Sequence, residues 1–599
     1  MATIVGVARF DGSVDSRDWA ERLSYEITSL SPSSASAAGA IFSVTGACLI
    51  AENESVLLAA DGRWDNRVEA ISELGLDPRA DDAQVLLAAW RRWKSATFNH
   101  LMGDFAVAVL EKHSRSLTLA RDASGQRPLF FRVGKGGTAF ASLAHALRII
   151  GPSAPDLRTL ADKLIDFSPP FAPSIFHGIE TVAPGEVVTF SKSTLGRHFW
   201  WQPGTSDLRN SGKSVDSTEE YRAALDEAVR SRVTSPDRPV ATYLSSGFDS
   251  GAVTATAARL FGRARVMAFT SAPHPDFNDI VPRGRIADES GAASLIAARY
   301  GIHHEVIRTV PPLINFLREH TNQTHEPIIP AFNVNWLVEI RRKAAAAGAK
   351  VLLCGEMGNL SLNAGGLPSL SSYLESGNFS GWAREALACA ARPDVSFKGV
   401  LANSFGPWIP RRLMNILTRR FLGWPEPGTA TFLRQEWLDP ERLSRILDAR
   451  PTTYTEARLA TMRRLDPGVR RKFSKLENDV DESDPTADQR LMEFSLRLAP
   501  EQLLRNGQSR PLAKAALADR LPRTILDSKV RGLQSADWTM HFGEKDAREA
   551  LEEIRSCDAV NELLDLPRIE ESIGRWPKGR QTRQKFIASS AITWYRHSQ

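Results

Sequence analysis

One short segment constrains this chain more than any other: a buried strand that runs into a turn of small polar residues and directly on into a helix. It reads PVATYLSSGFDSGAVTATAARL over residues 239–260. Small residues let the backbone approach a phosphate closely, and free N–H groups at the start of a helix favour an anion. The segment therefore predicts an α/β domain with an anion-binding turn at residues 245–250.

The composition excludes several classes of protein. The chain has 599 residues, 42% hydrophobic and 24% charged, which suits two to four globular domains. Its 75 basic and 70 acidic residues leave a net charge of +5, too weak at this length to favour a nucleic-acid partner. Four cysteines without a CxxC pair favour a reduced, cytoplasmic setting. We expect no secretory signal and no membrane span.

Periodicity divides the chain into three parts. Residues 1–203 read as successive short strands with helices between some of them, which predicts a layered α+β sandwich. Residues 204–217 are rich in Gly, Ser, Asp and Asn and predict an interdomain linker. Residues 218–599 alternate strands with helices, which predicts a parallel sheet, and become almost wholly helical from about residue 375. The polar stretches 31–39 and 466–487 predict loops.

The turn at 245–250 combines two kinds of chemistry. The hydroxyls of Ser245, Ser246 and Ser250 can donate hydrogen bonds to phosphate oxygens. Asp249 suits a position beside a phosphate only with a cation between them, so its natural role is as a Mg²⁺ ligand. The same residues could merely cap the helix, and the GK[ST] ending of a Walker loop is absent. The turn resembles the SGGxDS pyrophosphate loop of ATP pyrophosphatases, with Ser246 where glycine is usual.

The resemblance extends in order over nearly the whole chain to the asparagine synthetase family. The segments that carry it include AADGRWDN (59–66), LMGDFAVAVLEKHSRSLTLARDASGQRPLFF (101–131), ADESGAASLIAARYGIHHEVI (287–307), VLLCGEMGNLSLNAGG (351–366) and LPRTILDSKVRGLQ (521–534). It implies an N-terminal-nucleophile-type, glutaminase-like sandwich in 1–203. It also implies, in 218–599, an α/β ATP-pyrophosphatase synthetase domain with a helical C-terminal half, and ATP and Mg²⁺ as cofactors.

In the second domain the resemblance assigns individual roles. Glu356 matches a glutamate that the family uses near the attacking amine, where a carboxylate can accept a proton; capping the next helix is the other interpretation. Lys529 matches a lysine that faces the phosphates and would stabilise developing negative charge. Asp249 and Asn359 match the magnesium ligands, although Asn359 replaces an aspartate and offers an uncharged carbonyl oxygen. The residues expected at the nucleotide are Leu244, Ser245, Ser246, Gly247, Asp249, Ser250, Cys354 and Gly355. Weaker basic candidates are Arg510, Lys514 and Arg531.

The first domain departs from the family where glutamine would be hydrolysed. That chemistry needs a thiolate at the mature N-terminus with its own α-amine as base. The sequence begins MAT, and its nearest cysteine is Cys48, inside a predicted strand region. The triplet DGR at 61–63 also replaces the Asn-Gly-Glu that would hold glutamine. We therefore expect no glutaminase activity, and a structural or docking role for this domain.

An enzyme without a glutaminase must take its amine from elsewhere. The segments DPTADQRLMEF, GLQSADW and GEMGN look most like those of lasso-peptide macrolactam synthetases. This resemblance implies ATP-dependent ring closure between the N-terminal amine and an Asp or Glu side chain of a linear, leader-free core peptide. A leader-peptide protease with its recognition element would be a further partner. Two alternatives stay open: an ammonia-dependent asparagine synthetase, and a non-catalytic peptide-binding partner in a biosynthetic complex.

Overall fold

The computed structural model describes residues 3–10, 33–151, 153–164, 173–192, 194–203, 217–278, 281–308, 312–326, 331–409, 432–438 and 453–574. The chain forms two compact units. The N-terminal unit comprises Met1–Thr159, Ser168–Pro203 and Arg463–Glu482, and the C-terminal unit comprises Leu160–Phe167, Gly204–Met462 and Ser483–Gln599. The predicted linker lies outside the described residues except for Ser217, which begins a helix. The boundary predicted near residue 203 thus leaves out Arg463–Glu482, which belongs to the N-terminal unit.

The N-terminal unit contains two six-stranded antiparallel sheets. One sheet has the spatial order Glu180–Thr181, Phe130–Gly134, Gly137–Ala141, Thr3–Arg9, Ala40–Thr45, Ser33–Ala37. The other has the order Leu195–Phe199, Glu186–Phe190, Ser116–Arg121, Gly103–Glu111, Val56–Trp64, Leu49–Glu52. Alternate residues of the second sheet face opposite ways: Leu57 packs in the core shared with the first sheet, whereas Leu58 packs beneath helices Arg67–Leu74 and Asp82–Trp93. The predicted α+β sandwich is confirmed.

The loop predicted at 31–39 is wrong for the described residues. Ser33–Ala37 is an edge strand that pairs with Ala40–Thr45. The two strands join through Ala38 and Gly39, whose φ angles are +51° and +83°, as a tight hairpin requires. The neighbouring strand supplies hydrogen bonds that compensate for the weak strand propensity of these small residues.

The loop predicted at 466–487 is also wrong. It contains the helix Gly468–Asn478, the strand Asp481–Ser483 and the 3₁₀ turn Pro485–Ala487. Its polarity reflects internal ion pairs and not exposure to solvent. Lys472, on the helix, is only 1% exposed and pairs with the carboxylate of Asp61.

The C-terminal unit is built on a sheet with the strand order His303–Ile307, Val266–Ser271, Val240–Tyr243, Val351–Leu353, Asp481–Ser483, of whose last strand only Ser483 belongs to this unit. The first four strands are parallel. The predicted α/β domain is confirmed. The phosphate-type turn follows the central strand, at the carboxyl edge where α/β sheets bind ligands.

Helices cover the sheet and dominate the rest of this unit, as predicted. Those before residue 400 are Ser217–Arg230, Phe248–Phe261, Ser290–Tyr300, Leu313–Thr324, Val334–Ala346, Leu370–Glu375, Phe379–Ala390 and Phe397–Phe405. Those after it are Tyr454–Arg464, Gln489–Leu496, Pro500–Leu503, Pro511–Ala516, Arg523–Leu526, Trp538–His541, Glu544–Arg555, Asp558–Leu563 and Leu566–Gly574. Among the described helices, none combines the length and apolarity that crossing a bilayer requires.

Candidate active site

The turn after Val240–Tyr243 is closed by its own hydroxyl groups. The Oγ atoms of Ser245 and Ser250 lie 2.8 Å apart, and the N–H of Gly247 donates to Ser245 Oγ at 3.0 Å. Gly247 caps the helix Phe248–Phe261, so free N–H groups of the first helical turn face the same space. Leu244 anchors the turn to the sheet through its N–H, which donates to the Phe269 carbonyl at 2.8 Å. This geometry suits an anion.

A glutamate that the sequence analysis did not single out holds this turn. Glu289 Oε2 accepts hydrogen bonds from the N–H of Ser246 at 3.0 Å and from its hydroxyl at 2.5 Å. A glycine at position 246 would lack the second donor, so the departure from SGGxDS has a structural partner. The signal available in the sequence was ADES at 287–290, matched only as part of a family segment.

A second turn, at residues 354–359, lies directly on Asp249. A Cβ atom added to Gly358 would come within 2.3 Å of Asp249 Cγ, and one added to Gly355 within 3.0 Å of the Asp249 carbonyl carbon. Only glycine fits at such distances. Cys354 is buried, whereas Glu356 and Asn359 are exposed on the same turn. The structure thus brings together Gly355 and Asp249, two of the residues predicted to lie at the nucleotide.

Asp484, also missed from the sequence, fixes this second turn. Its Oδ2 accepts from the N–H of Met357 at 2.8 Å, and its Oδ1 accepts from the N–H and hydroxyl of Thr486 at 2.8 and 2.6 Å. Asp484 is 1% exposed. One ligand atom each from Cys354, Glu356 and Asp484 lies within 4.8 Å of the others. The Asp-Pro-Thr sequence, typical of a capped turn, was the available signal.

Asp249 sits in an electrostatically unfavourable place. Burial raises the pKa of its carboxyl group to about 7, an effect to which Asp484 adds and which Asn363 and Arg510 oppose. The Asn363 Nδ2 group donates to Asp249 Oδ2 at 3.4 Å. Asp249 Oδ1 has no hydrogen-bond partner among the described residues. The amide at Asp249 is therefore that of Asn363, while Asn359 is exposed.

Those donors fit a Mg²⁺ ion. Carboxylate oxygens of Asp249, Glu356 and Asp484 are hard ligands of the kind that Mg²⁺ prefers, and the Cys354 thiol is not. A cation near Asp249 would offset the cost of its buried charge.

The basic candidates differ in their placement. The guanidinium of Arg510 lies 5.4 Å from the centre of the Phe248 ring, at the start of the phosphate-type turn's helix. Lys514 instead pairs with Asp527 at 3.2 Å. Lys529 is exposed and precedes the short strand Arg531–Gly532. Arg510, considered only a weaker candidate from sequence, is thus the basic residue most directly linked to the turn.

A small cavity of about 10 Å³, room for about one water molecule, lies beside Ser271 at the end of the strand Val266–Ser271. Its walls include Ser271, Ala272, Trp336, Asp537, Trp538 and His541. The hydroxyl of Thr270, the residue before Ser271, donates to the carbonyl of Leu244, the residue before the turn, at 2.7 Å. The cavity offers aromatic walls and a His–Asp pair, His541 Nε2 and Asp537 Oδ2, 3.1 Å apart.

The N-terminal unit has a different constellation where the glutamine site was sought. Asp61 pairs with Lys472, and although burial opposes it, Lys472 and Arg127 lower the pKa of Asp61. Arg63 pairs with Asp65 at 2.6 Å and with Asp104 at 3.0 Å. Burial and the charge of Asp61 raise the pKa of the Cys48 thiol well above its usual value. These residues form an internal ion-pair network.

Comparisons with known proteins match two separate regions of the chain to two family models. The Asparagine synthase family model matches residues 220–596, and the Glutamine amidotransferase domain model matches residues 50–201. The chain is 32% identical over 190 residues to asparagine synthetase [glutamine-hydrolyzing] 3 of Bacillus subtilis, covering 31% of this chain and 30% of that protein. It is 26% identical over 285 residues to a putative asparagine synthetase [glutamine-hydrolyzing] of Mycobacterium bovis, covering 46% and 41%. It is 25% identical over 289 residues to the amidase chry2 of Gibberella zeae, covering 46% and 42%. The matched regions thus span less than half of each relative.

Proposed function

This chain belongs to the asparagine synthase family, and we propose that it forms an amide bond at the cost of ATP, most specifically the macrolactam ring of a lasso peptide. The phosphate-type turn with Ser245, Ser246 and Ser250 supports ATP as the nucleotide.

The reaction has two steps. An Asp or Glu side-chain carboxylate of the peptide attacks the α-phosphorus of ATP, which forms an acyl-adenylate and releases pyrophosphate. The peptide's free α-amine then attacks the acyl carbon, the amide C–N bond forms and AMP leaves. Because both reacting groups belong to one molecule, the enzyme's contribution is chiefly to position them.

Individual residues take the roles that the family resemblance suggests. Glu356 is exposed at the edge of the second turn, where its carboxylate can accept a proton from the attacking ammonium group. Lys529 supplies positive charge against the phosphates, with Arg510 as a second cation beside the turn. Asp249 would hold Mg²⁺, with carboxylates of Glu356 and Asp484 nearby and Asn359 as an outer oxygen donor. When bound, Mg²⁺ neutralises phosphate charge and favours departure of pyrophosphate.

One observation favours an amine that is not released from glutamine: the buried pair Asp61–Lys472, which ties up the motif where a glutaminase would hold its substrate. The Cys48 thiol beside it stays protonated at neutral pH. An amine that is already part of the substrate requires no glutamine hydrolysis and is therefore consistent with this arrangement. The proposed substrate is therefore a linear, leader-free core peptide, delivered by a leader-peptide protease and its recognition element.

Ammonia-dependent asparagine synthesis is compatible with the same site, and one experiment separates the two activities. AMP and pyrophosphate release would be measured with ATP and Mg²⁺ in two mixtures, one with aspartate and ammonia, the other with the linear core peptide encoded beside the gene. We expect AMP only with the peptide, together with loss of one water from its mass. AMP and asparagine in the first mixture alone would establish an asparagine synthetase. No AMP in either, with no ATP binding, would favour a non-catalytic peptide-binding partner.

A further inference from the structure

Two donors of the phosphate-type turn, both on Ser246, are already occupied by an anion from the chain itself. Both the N–H and the hydroxyl of Ser246 donate to Glu289 Oε2, at 3.0 and 2.5 Å. A carboxylate oxygen and a phosphate oxygen are equivalent acceptors for these groups. A triphosphate entering the turn therefore competes with Glu289 for Ser246, and the two negative charges repel each other at close range.

The same carboxylate supports a second element. A Cβ atom added to Gly532 would lie 2.0 Å from Glu289 Oε1, so the backbone of Arg531–Gly532 rests directly on the glutamate. This strand also pairs with the strand Arg285–Ile286, which precedes Glu289 in the sequence. The Arg531 N–H donates to the Gly284 carbonyl at 3.0 Å, and the Leu533 N–H donates to the Ile286 carbonyl at 2.8 Å.

Glu289 thus touches both the turn that would receive the phosphates and the strand that follows Lys529. Lys529 is exposed, two residues before Arg531. No side chain on Gly532 separates its backbone from the Glu289 carboxylate, so a change in the position of Glu289 removes a direct support of this strand.

We propose that Glu289 is a positioning residue that holds Ser246 while the turn is empty, and that phosphates displace its carboxylate and thereby move the strand Arg531–Gly532, and with it the preceding Lys529, towards the bound nucleotide. The inference rests on the proposed binding of ATP at this turn. It assigns Ser246 a purpose that a glycine could not serve, since only serine offers a hydroxyl to the glutamate.

The test measures the affinity for an ATP analogue and the protection of the peptide bond after Lys529 from trypsin. The full-length protein would be titrated calorimetrically with α,β-methylene-ATP and Mg²⁺, and trypsin cleavage after Lys529 would be followed by mass spectrometry with and without the analogue. In the wild type we expect the analogue to slow this cleavage at least threefold. In Glu289→Ala we expect about tenfold tighter binding, because the competing carboxylate is gone, and no protection of the Lys529 bond.

Two further variants make the outcome specific. Glu289→Gln keeps an acceptor for Ser246 without the charge, so it should bind more tightly and retain protection. Asp288→Asn removes a neighbouring negative charge that pairs with Arg308 at 2.9 Å and should behave as wild type. Equal affinity and equal protection in wild type and both Glu289 variants would overturn the inference while ATP binding stands. Failure of the wild type to bind the analogue would overturn the proposed function, and this inference with it.

Discussion

Asp484 accepts a hydrogen bond from the backbone N–H of Met357, so a carboxylate 127 residues further along the chain fixes the turn that carries Glu356. The Ser483 carbonyl adds a second link by accepting from the Cys354 N–H at 3.0 Å. The acidic residue proposed to accept a proton therefore depends for its position on a distant segment.

Replacing Asp484 with asparagine should lower kcat for AMP formation by about 100-fold, with a smaller change in KM for ATP. An amide has one acceptor oxygen, so it cannot serve Met357 and Thr486 together, and a misplaced catalytic group costs a factor of this size. Steady-state kinetics with the core peptide would measure it. Thr486→Val is the matched control, because it removes only one donor to Asp484 and should cost less than tenfold. Equal losses in both variants would contradict the positioning role.

The unliganded C-terminal unit should become less stable as the pH rises from about 4 to about 7. The pKa of Asp249 is raised to about 7 by burial, so in this window the folded state binds a proton that the unfolded state has released. The effect is on the order of 4 kcal/mol in full, from about 1.4 kcal/mol per pKa unit, of which about 2.5 kcal/mol falls between pH 5 and 7.5. Urea denaturation at pH 5 and 7.5 without nucleotide or metal would show it. Asp249→Asn should flatten this dependence and abolish AMP formation; an unchanged pH slope in this variant would refute the assignment.

Replacing Lys472 with methionine should destabilise the N-terminal unit by about 3–5 kcal/mol, because it leaves the buried charge of Asp61 unpaired. The double variant Asp61→Asn, Lys472→Met removes both charges and should recover much of that loss. Urea denaturation followed by near-ultraviolet circular dichroism would compare the variants. Strictly additive effects would show that the two side chains do not interact.

Cys48 should neither hydrolyse glutamine nor react with iodoacetamide in the native protein at pH 7.5. Its thiol is kept protonated by burial and by the charge of Asp61, and the thiolate is the reactive form. Mass spectrometry of the alkylated protein and a glutamate-release assay would test this. Cys48→Ala should retain wild-type AMP formation. Rapid alkylation of Cys48, or glutamate release that is lost in the alanine variant, would refute it.

Replacing Gly358 with alanine should abolish AMP formation, since the added methyl group would lie 2.3 Å from Asp249 Cγ. Gly291→Ala is its matched control: the same change at a position with no atom within 4 Å, in the first turn of helix Ser290–Tyr300. The control should keep full activity and gain up to about 1 kcal/mol of stability from helix propensity. Comparable activity of both variants would show that the contact with Asp249 is unimportant.

Much of the fold was predictable because local patterns determine it. Periodicity alone predicts helices over 82–93 and 290–300, and the structure has both with these bounds. It also predicts a strand over 239–244, which the structure has as Val240–Tyr243. The failures share a cause: small or polar residues in 31–39 and 466–487 were interpreted as loops, although Ser34 lies in an edge strand and Lys472 in a helix with a buried side chain. Whether a polar residue is buried can be predicted only when its hydrogen-bond or ion-pair partner is known, and the partners here are distant in sequence.

The candidate site followed the same rule. The contiguous turn at 245–250 was found from its own residues. Glu289, Asp484 and Asn363 were missed because each acts through a contact 43 to 127 residues away. The residues adjacent in sequence contain no pattern from which such contacts could be predicted.

The return of Arg463–Glu482 to the N-terminal unit has a practical consequence for anyone dividing this protein. A fragment ending near residue 203 would lose one partner from each of three internal ion pairs. Asp61 would lack Lys472, Arg121 would lack Asp466, and Arg127 would lack Asp481. Swapping this domain between relatives by a single crossover would mismatch the same pairs. The chain is therefore a discontinuous design, in which either half can be exchanged only if the short returning segment travels with the N-terminal one.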